Sequence, residues 1–180
     1  RLVTLIDDII RLSQLDEGCD MPFENVDLCE IASEVMAGLA DIAAAKDIEV
    51  ALTGKKVYIK SVRRLLTEII FNLCDNAIKY NKNGGTVEVA ISSQENSASI
   101  TVKDSGIGIP PEHQARIFER FYRVDKSRSK ESGGTGLGLS IVKHAVQYLN
   151  GKIELQSSLG QGTVIQIIFQ QDKSDVVQFS

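Results

Sequence analysis

Glu68, Asn72, Asn76 and Lys79 are separated by four, four and three residues. That spacing stacks them along one face of a helix. Asn is a poor choice for a helix interior, because its amide competes for backbone hydrogen bonds. Two of them one turn apart, beside a carboxylate and an ammonium, form a local conflict of the kind that marks functional sites. The chemistry on offer is specific. An amide oxygen is a hard neutral ligand suited to Mg²⁺, and a lysine is a point charge for phosphate. A solvated polar face is the plain alternative for these four residues taken alone.

Two glycine-rich stretches lie downstream. Asp104-Ser-Gly106-Ile-Gly108-Ile109-Pro110 follows an alternating strand pattern. A carboxylate at a strand end can accept from an exocyclic amine, and glycines just beyond it let backbone approach a flat ring. The same residues also make an ordinary turn. Gly133-Gly134-Thr135-Gly136-Leu137-Gly138 opens an apolar helical pattern, where free N–H groups and the helix dipole favour an anion. No G-K-[ST] follows, so this is not a Walker loop, and no β-α-β context supports a Rossmann turn.

The elements that must hold these residues can be read from periodicity. Leu66, Ile69, Ile70, Leu73 and Ala77 give the helix at 62–80 its apolar stripe, with Ser61 as the expected cap and Asn81–Gly85 as its end. Leu28–Lys46 reads as an amphipathic helix capped by Asp27, after a short strand at 23–27. Short strands are expected at 48–52 and 57–59, and alternating strands at 86–92 and 99–104 around a turn at 94–97. Leu137–Leu149 is a further helix, and strands at 152–157 and 163–169 close the core. Residues 105–135 carry little regular pattern and a basic polar run, as expected of a functional lid or a disordered piece. At the front, Leu2, Leu5, Ile9 and Leu12, widened by Ile6, Ile10 and Leu15, look like one bundle helix with nothing in this chain to bury its stripe. The order predicts an α+β fold: a two-layer sandwich with a mixed, mostly antiparallel sheet covered on one face by helices. The expected units are the bundle helix at 1–18, a linker at 19–22, the main domain at 23–170 and a polar tail at 171–180.

Composition narrows the function. The chain has 180 residues, 43% of them hydrophobic and 24% charged, with net charge −4 and no basic patch interleaved with aromatics. That argues against a nucleic-acid surface. Cys19, Cys29 and Cys74 contain no C-x-x-C pair and leave one over, so neither a disulfide framework nor a zinc site is indicated. Cys29 and Cys74 fall within apolar helical patterns and read as core residues, and a reducing compartment fits best. No run of about eighteen apolar residues occurs, so no membrane contact is expected from this segment. The chain opens in mid-pattern without an initiator Met, which reads as a piece of a longer protein.

Taken together and in order, four stretches carry a specific resemblance. Glu68-x-x-x-Asn72-x-x-x-Asn76-x-x-Lys79-Tyr80, Asp104-x-Gly106-x-Gly108, Phe118-Glu-Arg-Phe121-Tyr122-Arg123 and Gly134-x-Gly136-x-Gly138 resemble the N, G1, F and G2 boxes of the ATP-binding catalytic domain of sensor histidine kinases. That domain shares a superfamily with the gyrase, Hsp90 and MutL ATPases. The resemblance covers about residues 23–170, and Leu2–Gly18 looks like the end of the second helix of the kinase's dimerisation bundle.

The resemblance implies ATP and Mg²⁺ as cofactors, with Asn72 as the metal ligand and Asn76 and Lys79 on the phosphates. Tyr80 lines the nucleotide, and Glu68 polarises the attacking group or a water. Asp104 takes the adenine amine, with Gly106 and Gly108 beside the ring and Thr163 in support. Arg123, Gly134, Gly136 and Gly138 face the phosphates from the lid. Ile109, Phe118, Tyr122, Thr135 and Leu137 complete the expected nucleotide contacts. It also implies a homodimer through the bundle helices, a response regulator as partner, and a place in the cytoplasmic portion of a membrane-bound sensor. One feature departs from the pattern. The family's acceptor histidine sits in an H-E-x-x-x-P-like context, and neither His113 nor His144 has it. The γ-phosphoryl acceptor is therefore expected outside this chain. A gyrase- or Hsp90-type hydrolase, with Glu68 activating water, and a non-catalytic nucleotide-sensing module are the alternatives.

Overall fold

The computed structural model describes residues 6, 8–10, 12, 13, 21–124 and 134–170. The linker start, the stretch at 125–133 and the polar tail fall outside the described residues.

Strand β1 (Glu24–Asp27) leads directly into helix α1 (Leu28–Ala44), and Asp27 Oδ1 accepts the Cys29 N–H at 2.9 Å as the expected cap. Strands β2 (Glu49–Gly54) and β3 (Tyr58–Ser61) precede helix α2 (Arg63–Lys79). The hairpin β4 (Thr86–Gln94) and β5 (Ser97–Asp104) follows, then the one-turn helix α3 (Pro111–Gln114). Helix α4 (Gly138–Tyr148), β6 (Lys152–Ser158) and β7 (Gly162–Gln170) complete the chain of elements. The main sheet runs β2-β4-β5-β7-β6, with β2 parallel to β4 and the other pairs antiparallel, while β1 and β3 form a separate antiparallel ribbon. This is the expected α+β sandwich.

Alternation fixes the buried face of the sheet. Val87, Val89 and Ile91 of β4, Ile100 and Val102 of β5, and Ile165, Ile167 and Phe169 of β7 all join one apolar core with α1, α2 and α4. Helix α2 lies between α1 and α4 and buries eight side chains, from Leu65 to Ile78. Each such burial is worth about 1.5–3 kcal/mol for a full-sized aliphatic, whereas each Asn costs about 0.7 kcal/mol or less in helix propensity. Packing therefore wins by a wide margin, and the helix can hold Asn72 and Asn76 on its remaining face.

Three local expectations are corrected. Ser61 is not a cap: it ends β3, and Val62 stands at the N-cap with no side-chain bond to the helix. Cys74 is in the core, but Cys29 sits at its rim, its thiol donating to the Lys55 carbonyl at 2.8 Å. The front helix also finds a partner within the chain. Leu12 is buried with Leu137 and Ile141 at the start of α4, while Ile6, Ile9 and Ile10 remain about half exposed. None of the described helices is long and apolar enough to cross a membrane.

Candidate functional site

The polar face of α2 is ordered by its own backbone. Asn72 Nδ2 donates to the Glu68 carbonyl at 2.8 Å, one turn earlier. The Glu68 carboxylate pairs with Arg64 at 3.3 Å across the next turn; it is largely enclosed, at 11% exposed, while Arg64 is mostly in solvent. At the C-terminal end of the helix, Lys46 Nζ donates to the carbonyls of Lys79 at 2.8 Å and Ile78 at 3.3 Å. A cation there satisfies acceptors that a helix end leaves open and opposes the dipole. Burial lowers the Lys79 pKa; Asp75 favours the charged form, and Arg123 and Lys46 oppose it. Burial likewise raises Asp75, against Lys79 and Lys46. Sequence reasoning gave no role to Asp75 or Lys46. Asp75 lies inside the Asn72–Asn76 run itself, and Lys46 stands where α1 ends, so only tertiary structure joins them.

The glycine-rich strip before α4 closes against this face. A methyl group on Gly138 would lie 2.7 Å from Asn72 Oδ1 and 3.8 Å from Asn76 Nδ2. One on Gly134 would lie 2.5 Å from Lys79 Nζ and 3.8 Å from the Tyr80 hydroxyl. The strip is in turn held by the Phe118–Arg123 stretch: Phe121 N donates to the Gly136 carbonyl at 3.0 Å, and Arg123 Nη1 to the Gly134 carbonyl at 2.6 Å. Phe121 and Gly136 both have positive φ, 62° and 76°, where their backbones touch. Thr135 donates to Asp8 Oδ2 at 2.8 Å, tying the strip to the front helix.

Asp104 ends β5 directly opposite Thr163 of β7. Its Oδ1 accepts the N–H groups of Gly106 at 2.8 Å and Thr163 at 3.2 Å. Burial raises its pKa, and those two hydrogen bonds pull it back. The glycines here answer to backbone crowding. A methyl group on Gly108 would meet the Ser158 carbonyl oxygen at 2.0 Å, and one on Gly162 the Asp104 carbonyl oxygen at 1.9 Å. Gly106 packs the same way on the Tyr80 carbonyl, which accepts the Ile107 N–H at 3.1 Å. The loop after β5 is thereby bonded to the end of α2. Ile109 N donates to Ser157 Oγ at 2.8 Å, a link that sequence reasoning missed.

The structure thus brings Asn72, Asn76, Lys79, Tyr80, Gly134 and Gly138 together, with Arg123 and Gly136 behind them and Asp104, Gly106, Gly108 and Thr163 grouped at the sheet end. Leu137 is buried as the N-cap residue of α4, and Phe118 is half-buried. The Tyr122 hydroxyl meets His113 Nδ1 at 2.5 Å, and the Arg116 guanidinium lies 4.3 Å over its ring. His144 bonds Ser140 O through Nδ1 at 2.7 Å and Arg120 through Nε2 at 3.1 Å.

The Asn72 amide fits a Mg²⁺ role. Its nitrogen is engaged, so its oxygen is the atom presented toward Gly138, and Mg²⁺ commonly takes few protein ligands beside phosphates and waters. Among the described residues no group of three or more His, Cys, Asp or Glu offers a protein-only metal cage.

Residues 61–173 match the family model described as "Histidine kinase-, DNA gyrase B-, and HSP90-like ATPase". The sensor histidine kinase RppB of Synechocystis sp. is 38% identical over 172 residues, covering 93% of this chain and 37% of the relative. The sensor-like histidine kinase SenX3 of Mycolicibacterium smegmatis is 41% identical over 167 residues, covering 91% of this chain and 43% of the relative. The chain therefore spans less than half the length of these relatives. The crystal structure of full-length ShkA in complex with AMPPNP superposes with a TM-score of 0.83 at 27% identity, covering 93% of this chain and 35% of ShkA.

Proposed function

Because the chain belongs to the histidine kinase-, DNA gyrase B- and HSP90-like ATPase family, we propose that residues 23–170 bind Mg-ATP and deliver its γ-phosphoryl group to a histidine outside this chain. The observation that carries this reading is the closure of Gly134 and Gly138 onto Lys79, Asn72 and Asn76, with Asp104 and Thr163 at the far end of the same surface. That arrangement has a cationic, amide-lined end for a triphosphate and a carboxylate end for a base. Both relatives described above are sensor histidine kinases, which favours transfer to histidine over hydrolysis.

Phosphoryl transfer asks the protein mainly for positioning and charge neutralisation. Asp104 Oδ1 is occupied by two backbone N–H groups, so Oδ2 is the atom for an adenine amine. Asn76, Lys79 and Arg123 hold the phosphates in line. Glu68, fixed by Arg64, orients the incoming nucleophile. Magnesium, held by Asn72 Oδ1, would supply charge neutralisation on the triphosphate oxygens. In the longer protein the front helix belongs to a dimerising bundle, and the histidine passes the phosphoryl group to an aspartate of a response regulator. The segment acts on the cytoplasmic side of a sensor.

The test is calorimetric titration with Mg-ATP, followed by transfer from γ-labelled ATP to a supplied helical hairpin carrying an acceptor histidine. Binding with transfer supports the kinase. Release of inorganic phosphate without labelling of the hairpin would favour hydrolysis, and binding with neither a nucleotide sensor.

A further inference from the structure

The glycine strip is bonded to the 118–123 stretch at two points, Phe121 N on the Gly136 carbonyl and Arg123 Nη1 on the Gly134 carbonyl. That stretch is built of turns rather than helix or strand. Phe121 sits in it at φ 62°, a conformation that is costly for a residue with a Cβ. Its ring is 57% exposed, so burial does not offset the cost. Such a turn persists where its surroundings pin it. Arg123 pins one flank. Other polar contacts here are local: Arg116 pairs with Glu119 three residues on, and Tyr122 with His113 nine residues back.

Arg120 pins the other flank by reaching out of the stretch to α4. Its Nη2 lies 3.1 Å from His144 Nε2. A guanidinium only donates, so Nε2 is the bare ring nitrogen, and Nδ1 carries the proton that goes to the Ser140 carbonyl at 2.7 Å. A single ring proton satisfies both bonds. The Ser140 bond fixes the ring, and the core fixes Ser140, which is fully buried with Ile141, Val142 and Ala145. His144 is therefore a rigid acceptor on the same helix that the strip opens. Strip, stretch and helix form a closed circuit. Phe121 and Arg123 join strip to stretch, Arg120 joins stretch to helix, and the chain itself joins helix to strip at Gly138.

We infer that His144 is a positioning residue for the phosphate end of the site: by accepting from Arg120 it holds the 118–123 stretch in place, and so keeps Gly134 against Lys79. The inference rests on the Mg-ATP reading proposed above. Asp104 and Thr163 are held by their own bonds with each other and with Gly106, so the far end of the surface keeps its support when this bond is lost.

The wild-type chain, His144→Ala, His144→Gln, Arg120→Ala and the double alanine variant are titrated with Mg-ATP and with adenosine, and unfolded in urea. His144→Ala should weaken Mg-ATP binding about fivefold, because the closed strip becomes less populated. Adenosine binding should stay within about twofold, since it does not use the strip. The urea midpoint should hold, as Ala is the better helix former. Gln offers one acceptor and one donor on a planar group, so His144→Gln should return Mg-ATP affinity to within about twofold of wild type. The double variant should lose no more than the weaker-binding of the two single variants, as one shared bond requires. An unchanged Mg-ATP affinity in His144→Ala overturns the inference. So does a failure of Gln to recover it, or losses that add in the double variant. A parallel loss for both ligands, or a lowered urea midpoint, reduces His144 to a structural role and overturns it as well. A wild-type chain that binds Mg-ATP no better than adenosine, or binds neither, fails the Mg-ATP reading itself and the inference with it.

Discussion

Asn72 turns its amide nitrogen back onto the Glu68 carbonyl at 2.8 Å, so the atom it offers to the site is its oxygen, facing Gly138. This back-bond resolves the apparent conflict of an asparagine inside a helix. The side chain still competes for a backbone acceptor, but the competition fixes its orientation and aims its oxygen into the site.

Asn72→Ala is expected to weaken Mg-ATP binding by about tenfold or more while changing metal-free adenosine binding by less than about twofold, since a neutral oxygen ligand acts on the metal and not on the base. Calorimetry with both ligands decides it. Equal losses would remove the metal role.

Gly138→Ala and Gly162→Ala separate a crowded side chain from a crowded backbone. Gly138 begins α4, and its new methyl group would press on Asn72 Oδ1. Helix propensity favours Ala by about 1 kcal/mol, so stability should hold while Mg-ATP affinity falls. Gly162 has φ +90°, and its new methyl group would meet the Asp104 carbonyl oxygen at 1.9 Å, with no flexible end to yield. That variant should unfold about 2 kcal/mol or more more easily. Urea melts of both, alongside titrations, test the contrast; a stable Gly162→Ala would contradict it.

Asp104→Asn should leave the fold intact and abolish ATP binding. The asparagine oxygen can take over the N–H groups of Gly106 and Thr163, which directs its NH₂ outward, donor against the adenine amine. The pH dependence has a definite sign. Burial holds the Asp104 pKa above its ordinary 3.8, so the folded state keeps this proton longer than the unfolded chain. Its contribution to stability therefore falls as pH rises from 3.8 through the raised value, and Asp104→Asn should flatten that part of the profile. ATP affinity should rise over the same window, because binding uses the carboxylate. Unchanged affinity in the variant would defeat the adenine assignment.

The sequence made the central helix legible because its buried stripe and its polar face repeat with the same helical period on different sides, and the strands because they alternate. It also placed Asp104 at a strand end, where β5 in fact stops. What it could not supply were contacts between distant segments. The Asp8–Thr135 bond spans 127 residues, and Leu12 found Leu137 and Ile141 rather than a second bundle helix. The glycines at 106 and 108 fitted a ring-approach argument, yet their tightest neighbours are carbonyls of Tyr80 and Ser158. Ser61 failed as a cap because β3 pairing claims it through Glu24, and local preference yields to sheet register.

The 180-residue chain is expected to bind ATP without phosphorylating itself. An acceptor histidine needs a free ring nitrogen at the mouth of the γ-phosphate site and a base beside it. His144 meets neither condition: Nδ1 donates to Ser140 within α4, and Nε2 accepts from Arg120. His113 stands on α3 with Nδ1 against the Tyr122 hydroxyl, and Glu112 next to it is the nearest candidate base. A supplied hairpin bearing an acceptor histidine should take label instead, slowly, because the tether that raises effective concentration to about millimolar is absent. Incubation with γ-labelled ATP, with and without the hairpin, measures both. Acid-labile label on the chain alone would refute the expectation, and its loss in His113→Ala would identify the acceptor.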